Sequence, residues 1–245
     1  MFVIEFGCNH LGKKKNIKKM LDFFIKSSFD MATIQLLSKE YYLKHPGLFI
    51  HREIYKKIID ICKKKGKKIG LSVCDVNTFK YISDLKFDFY KLLSWGNTNK
   101  ELINILKNKK KHIYISTGKS NESKIRKSLN YFSLYKKKTL LHTPMTYDSK
   151  ELNFKKIFHL QKKFKINVGY SNHNNNSNTI YALSFYNPKK IFLYIKPNES
   201  NKIKFPDNDH AFKIEDLETL KKNYIECLNC HQNKNRVVKE IKIFD

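Results

Sequence analysis

The chain has 245 residues, 41% hydrophobic and 13% aromatic, and a formal net charge of +27. Such a length and apolar content suit one large folded domain or two small ones and argue against disorder. No apolar run approaches the roughly 20 residues that span a bilayer, and "MFVIEFGCNH" lacks the basic and apolar regions of a secretory signal, so no membrane partner and a cytoplasmic location are expected.

The charge invites a nucleic-acid reading. The lysine runs at 13–15, 63–65, 109–111 and 136–138 are spread along the chain, however, beside or within expected helices. Abundant Lys, Asn and Ile suit an AT-rich genome with solvated helix ends; a field selected for an anionic ligand is the other reading. No basic–aromatic interleaving of a single-strand groove is present, so no nucleic-acid partner is expected. Cys8, Cys62, Cys74, Cys227 and Cys230 are an odd set, which points to reduced thiols. "CLNCH" matches a haem-attachment pattern, but that chemistry needs export, and a zinc site needs a second ligand pair.

Strand and helix patterns alternate throughout. Short apolar runs predict strands at 2–7, 31–37, 69–73, 89–94, 112–117, 139–144, 167–171 and 190–195. Between them apolar residues recur at helical spacing: Ile17, Met20, Leu21, Phe24 and Ile25; Ile54, Ile58, Ile61 and Cys62; Leu102, Ile105 and Leu106; Ile157, Leu160 and Phe164. Eight strands, each followed by a helix and with no Pro/Gly/Ser-rich linker, predict an α/β fold made of a single (β/α)8 TIM barrel. The barrel is expected over 1–230, with a short basic tail at 231–245.

Barrel enzymes carry their chemistry where the strands end. The polar residues there are Glu5, Asn9 and His10 at strand 1, Gln35 at strand 2, and Ser72 and Asp75 at strand 3. Lys91 and Ser94 follow on strand 4, "STGK" (116–119) on strand 5, His142 and Tyr147 at strand 6, and Ser171 and His173 at strand 7. The opposite ends, "KKKHI" and "KKKTL" among them, carry lysines. Lys91 lies within an apolar strand, where an ammonium must meet an anion or a carboxylate. Glu5 is a general acid/base, a ligand for sugar hydroxyls, or the internal partner of a lysine such as Lys91. "STGKSNES" is an anion cradle or a set of turn and cap residues. "CNHLG" reads as a turn with Asn and Gly at positive φ. His142 is a satisfied core histidine or a ligand. The alternation of strand side chains points Ser171 and His173 the same way.

Taken together these stretches resemble the sialic acid (N-acetylneuraminate) synthase family. "EFGCNHLG" resembles its opening E-I-G-x-N-H-x-G, "FYKLLS" its Y-K-I-x-S strand, and "STGKSN" its S-T-G turn. "LLHTPMTY" is similar to L-L-H-C-x-x-x-Y, "VGYSNH" to G-Y-S-D-H, and "NDHAFKIEDLETL" to P-D-H-x-F-S-L-x-x-x-E-L. The resemblance implies a transferase of carbohydrate biosynthesis that condenses phosphoenolpyruvate with an N-acetylmannosamine-like aldose, giving a nonulosonic acid and phosphate. It places Lys91, Ser94, Ser116, Thr117 and Ser171 at phosphoenolpyruvate, with Ser72 where the family has Thr. It assigns Glu5, Tyr147 and Asp209 to the sugar or to proton transfer, and His173 to a divalent metal, Mn or Mg. A homodimer is the family's arrangement.

Three departures qualify this. Thr33 stands where the family's strand 2 has a lysine. On strand 8, "KIFLYIKP" offers no histidine for the second metal-ligand position: one register places Tyr194 there, the other Lys196. The last stretch is also too short for the family's C-terminal antifreeze-like domain. The expectations that follow are a metal at His173, or a metal-free reaction with Lys196 as a fixed cation. The alternative function is a divergent or silent relative that binds phosphoenolpyruvate or sugar without turnover.

Overall fold

The computed structural model describes residues 2–198 and 203–232. Eight parallel strands run in sequence order: β1 (Phe2–Glu5), β2 (Met31–Leu36), β3 (Lys68–Val73), β4 (Phe89–Leu92), β5 (His112–Ser116), β6 (Lys138–His142), β7 (Val168–Ser171) and β8 (Ile191–Lys196). Pairing of β1 with β8, from Phe2↔Ile191 to Glu5↔Tyr194, closes them into a barrel. Helices α1 (Lys14–Lys26), α2 (Lys39–Lys44), α3 (Arg52–Lys64), α4 (Val76–Ile82), α5 (Lys100–Asn108), α6 (Glu122–Tyr131), α7 (Lys155–Phe164), α8 (Ser177–Leu183) and α9 (Leu217–Gln232) lie between and after the strands. The (β/α)8 TIM barrel expected from the alternation is therefore present. None of the described helices is long and apolar enough to cross a membrane.

The helical stripes bury mostly as their spacing predicts. Ile17, Met20, Leu21 and Phe24 of α1 are buried, as are Leu102 and Leu106 of α5. On α3 the buried face is Tyr55, Ile58 and Cys62, and Ile61 is 41% exposed. Ile61 sits one residue before Cys62 and turns away from the core. Cys227 and Cys230 lie on α9, the first half-buried and the second exposed. The expected tail at 231–245 lies outside the described residues beyond Gln232.

Two features escaped the sequence reading. A two-residue strand, β9 (Phe212–Lys213), adds to β8 in parallel through Ile195↔Phe212 and Lys196↔Lys213. It ends the loop that leaves β8 and ties it back to the barrel rim. Inside the barrel, Val3, Met31, Phe89, Tyr114, Leu141 and Phe192 form an apolar plug. Because strand side chains alternate, the next inward residues along the strands are Glu5, Thr33, Lys91 and Tyr194. A polar layer thus sits directly on an apolar floor, at the C-terminal end of the strands.

Candidate active site

The polar layer is built around one buried ion pair. Lys91 Nζ lies 2.6 Å from Glu5 Oε2, and the two side chains are 1% and 2% exposed. Lys91 also donates to Ser171 Oγ at 2.9 Å. Its ammonium rests 4.9 Å above the centre of the Phe192 ring and 5.6 Å from that of Tyr194, in the geometry of cation–π attraction. The other Glu5 oxygen accepts from Thr33 Oγ1 at 3.3 Å, and Ser72 Oγ lies 3.3 Å from it. Burial lowers the pKa of Lys91, and the carboxylates of Glu5 and Asp207 offset part of that. Thr33, standing where the resemblance leads one to expect a lysine, thus serves as a hydroxyl donor to Glu5.

Above this layer opens a cavity of about 170 Å³. Its wall includes Lys91, Ser94, Ser116, Tyr147 and His173 from the residues singled out by sequence. Ser116 Oγ lies 2.9 Å from Thr143 Oγ1, and Thr117 Oγ1 accepts from the Thr143 backbone at 3.2 Å, so Thr117 shapes the β5 and β6 ends. In "STGKSNES" Ser116 faces the cavity, and Asn121 caps α6 by accepting from Lys124 N. Asp75 is likewise a cap, accepting from Thr78 N. His142 is a satisfied core histidine. Its Nε2 lies 2.8 Å from Leu152 O, and burial lowers its pKa to about 4.

The loop between β8 and β9 completes the wall with residues the sequence reading did not select. Asp207 and His210 both line the cavity, whereas Asp209 is exposed and outside its lining. Two aspartates flank Asn208 in "PDNDH", and the D-H-x-F spacing favoured the second. Asp207 Oδ2 accepts from Cys8 N at 2.8 Å, and burial raises its pKa to about 6. Asn9 clamps the loop, its Oδ1 accepting from Asp207 N at 2.9 Å and its Nδ2 donating to Ile195 O at 2.8 Å. This gives "GCNH" a purpose beyond a turn. Positive φ falls at Gly7, Leu11 and Gly12, with Asn9 absent from that set. Gly7, at φ +53°, has no room for a Cβ: one would strike both Asp207 and the Tyr194 ring. Lys196 does not line the cavity. Its Nζ donates to the Asn208 carbonyl at 3.0 Å and to Asn208 Oδ1 at 2.9 Å, holding the same loop.

Four rings gather on one side. His173 and His210 have ring centres 4.9 Å apart, and Tyr194 lies 5.5 Å from His173 and 4.6 Å from His210. Tyr147, 60% exposed, stacks on the outer face of His210 at 5.8 Å. Burial holds both imidazoles neutral, His210 with its pKa lowered to about 4 and His173 well below its usual value. His173 Nδ1 and both His210 ring nitrogens are buried without a hydrogen-bond partner.

The NeuB family model matches residues 27–235 of this chain. The chain belongs to the NeuB family. Over 201 residues it is 25% identical to N,N'-diacetyllegionaminic acid synthase of Campylobacter jejuni, an alignment covering 71% of this chain. The chain spans about 60% of the length of that curated relative. Among solved structures, the N-acetylneuraminic acid (sialic acid) synthetase of Leptospira borgpetersenii, in complex with citrate, superposes with a TM-score of 0.86 at 16% identity. That match covers 98% of this chain and 87% of the other. A truncated 3-deoxy-D-arabino-heptulosonate 7-phosphate synthase of Thermotoga maritima gives a TM-score of 0.71 at 11% identity, covering 94% of this chain and 87% of that one. These structural likenesses show the barrel. Membership of the family agrees with the resemblance drawn from the six sequence motifs.

Proposed function

We propose that this NeuB-family barrel is a nonulosonic acid synthase that condenses phosphoenolpyruvate with an N-acetylmannosamine-like aldose. The observation that carries the reading is the Lys91–Glu5–Ser171 cluster, a buried ammonium with a hydroxyl beside it at the floor of a cavity. Such a cation stabilises an incoming dianion strongly, because the site excludes water. On this reading Lys91, Ser94, Ser116 and Ser171 hold phosphoenolpyruvate, and Ser72 and Thr117 keep the strand ends in place. The enol carbon forms a bond to the aldehyde carbon, and the aldehyde oxygen takes a proton. Water then adds to the carbon that bears the phosphate ester and loses one proton; as phosphate leaves with the ester oxygen, the new hydroxyl loses its proton and a ketone remains. Asp207, with a pKa near 6, is suited to exchange a proton near neutral pH. Glu5 is freed to serve the sugar or the attacking water when the substrate's anion takes over Lys91. Tyr147 and the His210 loop face the aldose.

The orphaned nitrogen of His173 fits a divalent metal ligand, the role the family implies for it. When bound, such a metal supplies Lewis-acid polarisation of the sugar carbonyl. The decisive assay follows phosphate release from phosphoenolpyruvate across a panel of N-acetylhexosamines, with manganese and with chelator. Release that requires both substrates is the expected result. Thermal stabilisation by phosphoenolpyruvate without release in any combination would instead mark a binder that has lost the chemistry.

A further inference from the structure

We propose that His210, delivered by the loop between β8 and β9, supplies the second imidazole of a divalent-metal site whose first is His173. Strand β8 carries no histidine: of the two positions that would hold that second ligand, one is Tyr194, paired with Glu5 in the barrel register, and the other is Lys196. Tyr194 is buried and brings a phenol rather than an imidazole, and Lys196 Nζ is held by Asn208. On this proposal the loop supplies the imidazole instead. His210 packs edge-to-face on Tyr194 and reaches His173 across it, at a ring separation of 4.9 Å.

Three buried imidazole nitrogens without a partner are the main observation. Buried polar atoms are almost always satisfied, by protein or by ordered water, and a shared metal would satisfy the nitrogens of both adjacent histidines. The surroundings suit a cation in spite of Lys91. Glu5 meets the Lys91 charge at 2.6 Å, and Asp207 Oδ1 lies 3.7 Å from His210 Nε2, adding a carboxylate beside the imidazoles. Among the described residues no group of three or more His, Cys, Asp or Glu converges on one point. Two imidazoles would therefore leave the remaining positions to water and to substrate oxygens, as an open catalytic site requires.

The loop is also built to hold His210 still. Cys8 N, the Asn9 side chain and Lys196 fasten residues 207 and 208 to the rim. Ala211 N donates to Asp207 O at 3.0 Å, and β9 follows at once. Pre-set ligands lose little on binding, and shifting their supports weakens affinity by 10–100-fold in known metal sites. Lys196, expected from sequence as a substitute cation, thus acts as a fastening for the loop that carries the ligand.

The inference deepens the synthase reading and rests on it for the metal's use, but metal binding is measured apart from turnover. Chelator-treated full-length protein is titrated with Mn²⁺, free ion being followed by electron paramagnetic resonance. The wild type, His173→Ala, His210→Ala, His210→Asn and Tyr194→Phe are compared, with circular dichroism and melting confirming that each is folded. One bound Mn²⁺ in the wild type, weakened 10-fold or more by His173→Ala and by both His210 variants, is the expected result. Wild-type affinity in folded His210→Asn, loss in Tyr194→Phe alone, or no Mn²⁺ bound by the wild type overturns the proposal. If no Mn²⁺ binds while phosphate release proceeds undiminished in chelator, the metal site falls and the synthase reading stands. If Mn²⁺ binds as expected but no hexosamine supports release, the metal site stands and the synthase reading falls.

Discussion

The two ends of this barrel use the same residue type in opposite ways. At the C-terminal end of the strands one lysine, Lys91, is buried against Glu5 and Ser171 beneath a small cavity. At the other end Lys68, Lys138 and Lys190 begin β3, β6 and approach β8, and a wider hollow of about 540 Å³ is lined by Arg126, Lys136, Lys138, Lys163 and Lys165. There the cations are spent on the surroundings: Lys138 donates to Tyr135 O, and Lys163 meets Glu122. The larger hollow is thus the more charged and the less organised. Net charge describes the second end; the proposed chemistry belongs to the first, where a single charge has been taken out of water and given defined partners.

The sharpest way to break this comparison is to remove one half of the buried pair. Glu5→Leu leaves the Lys91 ammonium buried and unmatched, and should cost about 3–5 kcal/mol of unfolding free energy. The double variant Glu5→Leu with Lys91→Met should recover most of that loss, as removal of a whole buried pair tends to. Urea unfolding measures both. A single-variant loss under about 1 kcal/mol would show that water reaches the pair and that the two ends differ less than described.

Acid titration sharpens the comparison next. His10 and His142, at the C-terminal end, are held neutral by burial with pKa values of about 4. Their unfolded forms take up a proton near pH 6.5, so the unfolded state binds more protons between about 4 and 6.5. The stability they contribute is complete above pH 6.5 and is lost as pH falls towards 4, by about 1.4 kcal/mol per pH unit for each. Unfolding free energies at stepped pH should show the slope, and His142→Asn should lessen it.

A backbone change comes third. Gly7→Ala puts a methyl against Asp207 and Tyr194 at a positive φ, and should destabilise by about 1–3 kcal/mol. Calorimetric melting reads the loss, and Gly66→Ala gives the contrast: it shares the positive φ but has nothing within 4 Å. Equal losses in the two would mean that the β8–β9 loop is not packed on Gly7. The smallest effect belongs to the basic hollow. Lys136→Ala should change stability by less than about 0.5 kcal/mol, as surface substitutions usually do.

The barrel was legible because each of its strands is a short apolar run and each intervening helix repeats its apolar stripe. Lys91 stood out for the same reason, as a charge within such a run. His142 was legible only down to two readings, since an imidazole beside apolar neighbours looks alike in both. Asp207 and His210 lie in an irregular loop, where no periodicity says which side chain turns inward. The fastening that decides it comes from Cys8 N and Asn9, almost 200 positions away. A histidine directly before the apolar Ala211 and Phe212 was the available signal. β9 is too short at two residues to leave a pattern of its own.

The most direct test of the account compares the two ends in one assay. Phosphate release from phosphoenolpyruvate in the presence of an accepted hexosamine is measured for the wild type, Lys91→Ala and Lys136→Ala. Loss of about 100-fold or more in Lys91→Ala, with Lys136→Ala at the wild-type rate, is the predicted result. Wild-type release by a folded Lys91→Ala protein would contradict it.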